Sequence, residues 1–86
     1  STARPVRLER GEGVTQNVSA SGVFFETNVD CAAGSEINFA IELDGPQGKK
    51  VMLRCRGKIV RVEHRDGILG VAATIASSKL ESSSLS

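Results

Sequence analysis

The sequence predicts an all-β domain: a small antiparallel barrel of about six strands, followed by a flexible or weakly helical tail. Apolar and polar residues alternate with period two over most of the chain before residue 76. Clusters of Gly, Asn, Asp, Ser and Pro break that alternation at short intervals, and no segment before residue 76 keeps a helical period for a useful length. Short antiparallel strands with a bend in a long one suit closure into a barrel, which removes exposed sheet edges.

The first expected strand, 3–10, places Val6 and Leu8 on one face with Arg7 between them. Turn residues Gly11 to Gly13 lead into a second strand, 13–18, and Ser19 to Gly22 into a third, 22–27. After a loop from Asn28 to Ser35, strand 36–43 alternates Ile37, Phe39, Ile41 and Leu43 with Asn38, Ala40 and Glu42. Asp44 to Gly48 forms the next turn. The fifth strand, 50–63, begins with Val51, Leu53 and Cys55 on one face, but beyond Gly57 the apolar positions become Val60 and Val62. One extra residue re-aims every later side chain, so a bulge or sharp bend is expected at Gly57. Arg65 to Gly67 turns the chain into a sixth strand, 67–75. Residues 77–86 carry six serines and read as a tail or linker, which divides the chain into a barrel domain, 1–76, and a tail, 77–86.

With 86 residues and a formal net charge of +1, the chain has room for one small core and lacks the charge of a general nucleic-acid binder. Few aromatics are present to stack on single-stranded bases, so no nucleic-acid polymer is expected as partner. The charge is uneven, however. Lys49, Lys50, Arg54, Arg56, Lys58, Arg61 and Arg65 face Glu63 alone, and Arg54 and Arg56 should share one strand face as a solvated or anion-attracting surface. No apolar run approaches the ~18 residues of a membrane helix, and no signal peptide opens the chain, so a cytoplasmic location and no membrane partner are expected. Ser1 is not a natural start, and the chain is expected to be a piece of a longer protein.

Cys31 and Cys55 show no metal-ligand or redox spacing and are expected to be free, buried thiols. His64 has no second ligand or triad partner at an interpretable spacing. No metal, no cofactor and no enzymatic activity are expected.

The most informative stretch is Asn17-Val18-Ser19-Ala20-Ser21-Gly22, which fits [D/N]-x-S-x-x-G directly before Val23-Phe24-Phe25. An Asn and a Ser two apart in a tight turn can bond their own backbone and still offer an amide, a hydroxyl and N–H groups outward. Gly22 permits a positive φ or the close approach of a ligand. Such a turn suits the polar edge of a base.

That motif, Gly22-Val23-Phe24-Phe25-Glu26-Thr27, a loop with Gly34, Glu36 to Leu43, Arg56-Gly57-Lys58-Ile59-Val60-Arg61-Val62 and Gly67-Ile68-Leu69-Gly70-Val71-Ala72 together resemble the PilZ domain family over roughly residues 4–76. The resemblance implies a six-stranded split β-barrel and a bacterial module that senses cyclic di-GMP. It also implies that Asn17, Ser19 and Gly22 contact guanine, while a preceding R-x-x-x-R arm wraps the nucleotide. Here Arg4, Arg7 and Arg10 are spaced by three, so no pair stands four apart. Arg4 can represent the arm's second arginine only if the first precedes Ser1, and Arg4 and Arg7 are the candidates within this chain. Guanidinium groups bind phosphate and the guanine edge bidentately, so losing two such contacts, at ~1.5–3 kcal/mol each, weakens binding roughly a hundred- to ten-thousand-fold. Two functions therefore compete: a cyclic di-GMP sensor, and a degenerate relative that does not bind the nucleotide and instead meets a partner protein or flanking domain, for example in motility or surface attachment.

Overall fold

A computed structural model describes residues 3–82. Among these, six strands form a closed antiparallel barrel in the order β1-β2-β3-β6-β5-β4, with β1 at Pro5–Leu8, β2 at Gly11–Val18, β3 at Gly22–Thr27, β4 at Glu36–Asp44, β5 at Lys50–Arg65 and β6 at Ile68–Ser82. The expected small six-stranded barrel is thus the observed fold.

Alternation produces the core directly. On β3, Val23, Phe25 and Thr27 are buried while Phe24 and Glu26 face outward, half-buried. Val6, Ile41 and Val71 are fully buried with Phe25, whose ring lies 6.1 Å from that of Phe39. Two threonines are also inside, and both are satisfied. Thr15 Oγ1 accepts from the Arg4 N–H at 2.8 Å, and Thr27 Oγ1 donates to the Glu12 carbonyl at 2.8 Å while accepting from the Val29 N–H. No buried side-chain polar atom among the described residues is unpaired, as a small core requires.

Several boundaries differ from expectation for identifiable reasons. The β1–β2 turn is Glu9-Arg10, because Leu8 pairs with Gly11, so Gly11 and Gly13 lie within β2 rather than in a turn. The β5–β6 turn is the pair Asp66-Gly67, both with positive φ (52° and 81°) and flanked by the partners Arg65 and Ile68. That is the two-residue geometry an Asp-Gly pair favours, since its twist matches that of the strands. His64 lies near the end of β5, paired with Leu69 and exposed.

The expected irregularity in β5 is real, but it resolves into two. At Arg56/Gly57 the extra residue is Ala76 on β6, since Arg56 pairs with Ser77 and Gly57 with Ile75. Three residues on, Ile59 pairs with Ala73 and Arg61 with Ala72, leaving Val60 as the bulged residue, 56% exposed. The parity change read at Gly57 therefore occurs at Val60. Gly57 serves another purpose: a Cβ there would lie 1.6 Å from the Thr74 carbonyl oxygen.

The Ser-rich segment departs furthest from expectation. It is neither linker nor helix through residue 82: Ser77, Ser78, Lys79, Leu80, Glu81 and Ser82 continue β6 and pair with Arg56 down to Val51. Serine is a weak strand former, but pairing with a long neighbouring strand overrides propensity here. The rest of the expected tail, 83–86, lies outside the described residues.

Candidate functional site

The site is built by a bulge in β2. Thr15 pairs with Phe25 and is buried, while Asn17 pairs with Phe24, so Gln16 is the extra residue between them. Were Gln16 regularly paired, Asn17 would share the inward parity of Thr15. With it, Asn17 joins Phe24 on the outer wall, and it is exposed. Val18 then pairs with Val23, and the loop to β3 is closed by a Ser19 N–H bond to the Gly22 carbonyl at 2.8 Å. The Ser19 hydroxyl donates to the same carbonyl at 3.3 Å, which leaves its lone pairs directed to solvent. The Asn17 side-chain amide makes no hydrogen bond among the described residues.

Of the two roles open to Gly22, a positive φ is not used. Positive φ among the described glycines occurs at Gly34, Gly48 and Gly67, whereas Gly22 is a strand residue paired with Thr74, where a Cβ would come within 3.2 Å of the Ala73 carbonyl oxygen. A side chain there would crowd the β6 backbone.

Asn17, Ser19 and Gly22 converge with Val23 and Phe24 on a shallow cleft of ≈ 210 Å³. Phe24 forms its apolar side. The ring is held over Gly70 of β6, where an added Cβ would lie 2.7 Å from the ring tip. Polar groups around an aromatic face are what a flat heterocycle needs, one set for its edge and one for its plane. The cleft is smaller than the 300–1,000 Å³ that enclose a drug-sized ligand. Phe24 escaped the sequence reading, although adjacent Phe24 and Phe25 on a strand must face opposite sides.

The structure does not bring the two arginine candidates to this cleft. Arg4 has its backbone pinned to Thr15, and its guanidinium reaches away across β1 to Asp44 of β4 at 2.7 Å. Lys50 joins the same carboxylate at 3.3 Å. The hydrogen bond from Arg4, then that from Lys50, holds the Asp44 carboxyl below the usual carboxylate range. Arg7, exposed on β1, lines a different groove, with Arg54, Arg56 and Lys79.

Cys31 and Cys55 are free, and burial pushes both thiols up from their ordinary value, with Asp30 adding to the effect at Cys31. Cys55 is buried as expected, Cys31 only half so. Among the described residues no cluster of His, Cys, Asp and Glu could hold a metal, and no helix is long and apolar enough to cross a membrane.

A closed six-stranded barrel that displays a polar [D/N]-x-S-x-x-G turn on its wall defines a small all-β barrel module. The model of the PilZ domain family matches residues 5–81, and the chain belongs to that family. No curated protein and no solved structure gives a significant match. The match reaches Glu81, so it includes the part of β6 that the sequence reading placed in the tail.

Proposed function

We propose that this domain is a cyclic di-GMP sensor that receives a guanine base in the cleft between Asn17, Ser19 and Phe24. The reading is supported by the family and, above all, by the unbonded Asn17 amide, which the Gln16 bulge turns outward beside an aromatic ring. Asn17 supplies both a donor and an acceptor to the base edge, Ser19 an acceptor, and Phe24 a face. A cleft of this size leaves the phosphates outside, to be held by arginines on a segment near the N-terminus, whose ordering on the nucleotide would be the signal.

Calorimetric titration with cyclic di-GMP tests this on the present chain and on one extended upstream. Binding is expected, and replacing Asn17 and Ser19 together by Ala should weaken it about tenfold or more, at about 0.5–1.5 kcal/mol per hydrogen bond. An unchanged affinity in that double variant would remove the cleft from the mechanism.

A second reading is favoured by a specific observation: Arg4 is engaged with Asp44, and Arg7 lies in another groove. On that reading the domain has lost the arginine arm and acts as a protein-interaction module. Absence of binding heat from both chains at about a millimolar nucleotide would select it.

A further inference from the structure

A broad groove lies away from the turn motif, and its walls are cationic. It measures ≈ 720 Å³ and runs over β1, β4, β5 and the C-terminal half of β6. Register explains its composition. Arg7 pairs with Ala40, Ala40 with Arg54, and Arg54 with Lys79, so these four residues form one row across four strands. Arg56, two residues along β5, heads the next row between Asn38 and Ser77. Ala40 faces outward yet is 6% exposed, because the long side chains beside it rise above its single methyl. A small residue between tall cationic ones makes a trough.

Charge within the trough is poorly compensated. Arg54 is bonded to Glu81 at 2.5 Å, and Glu9 stands on the rim. Arg7, Arg56 and Lys79 have no ion-pair partner among the described residues. By contrast Lys50 and Arg61, from the same basic run, are paired to Glu42, Asp44 and Glu63.

We propose that this groove docks an acidic segment of a partner protein in extended conformation. The occupant follows from the spacing of the cations. Across the row, neighbouring strands lie ~4.8 Å apart, so Arg7 and Lys79 are about three such steps from each other. A single small anion reaches only one or two of the four. Along β5, Arg54 and Arg56 repeat every two residues, about 6.7 Å, which is the repeat of carboxylates on one side of an extended chain. Nucleic acid is disfavoured because the groove offers no stacking platform: its one aromatic, Phe39, is 4% exposed. Binding displaces Glu81 from Arg54, exchanging an internal ion pair for intermolecular ones. The proposal does not rest on nucleotide binding at the Asn17 cleft.

The test is fluorescence anisotropy of a labelled peptide of about ten residues alternating Glu with Ser, titrated with the whole chain at ~50 mM salt. Saturable binding is expected, lost when Gln replaces Glu in the peptide. The double variant R56Q/K79Q should weaken it roughly three- to thirtyfold, the range for two partly exposed charge pairs. E81Q should strengthen it, since the competing carboxylate is gone. Any cyclic di-GMP affinity should be the same in R56Q/K79Q as in the parent chain. No saturation at about a millimolar protein, indifference to R56Q/K79Q, loss of nucleotide affinity in that variant, or displacement of the peptide by equimolar inorganic phosphate or a short oligonucleotide would each overturn the proposal.

Discussion

Gly57 shows how a single position can be legible in the sequence while its reason is not. The change in apolar parity nearby marks the region as irregular, but it suggests a bend at the glycine. In the barrel the glycine is needed because the Thr74 carbonyl passes where a side chain would stand, next to the Ala76 bulge of the opposite strand. Backbone cannot yield as a flexible side chain can. Gly57→Ala should therefore cost about 3 kcal/mol or more in urea unfolding, at or beyond the upper end for overpacked cores. A loss below about 1 kcal/mol would show that the β5–β6 ribbon accommodates the methyl by sliding. Asn17 is the complementary case. Its chemistry was readable from residue type and spacing, but its outward direction depends on Gln16, and nothing in the identity of Gln16 announces a bulge.

At the scale of elements, strand cores were readable and strand ends were not. Val23-Phe24-Phe25 and Ile37 to Leu43 announce themselves by alternation and branched side chains. Ser77 to Ser82 does not, because its strand character comes from the partner residues Val51 to Arg56. The same failure hid Lys79, whose place in the basic groove depends on that pairing. Removing residues 77–86 should accordingly leave one edge of β5 from 51 to 56 without a partner. We expect the truncated chain to melt more than ~10 °C lower than the parent, or to lose its cooperative transition. A linker would be dispensable, so an unchanged melting temperature would return the segment to that role.

For the molecule as a whole, closure depends on the shortest strand. β1, only Pro5–Leu8, is the bridge between β2 and β4, and the Arg4–Asp44 contact reinforces it from just outside the strand. The barrel was legible as a class from strand count and turn spacing, but the strand that joins its two sides was not. That joining pairs residues more than thirty positions apart, and sequence patterns report only local periodicity. Closure should carry a pH signature. Asp44 titrates below the ordinary carboxylate range in the fold, so its contribution is fully present above the unfolded-state value of about 4 and is lost as pH falls through the folded-state value. Asp44→Asn should flatten the decline of melting temperature below pH ~4 relative to the parent. Parallel curves for the two proteins would place the acid sensitivity elsewhere.

Phe24 stands at a boundary on the outer wall. It lines both the recess formed with Asn17, Ser19 and Gly22 and a neighbouring hollow of ≈ 250 Å³ with Glu26, Glu63 and Arg65. Gly70 beneath it offers no side chain to hold the ring sideways. One side chain therefore walls two hollows at once, so truncating Phe24 to Ala alters both together.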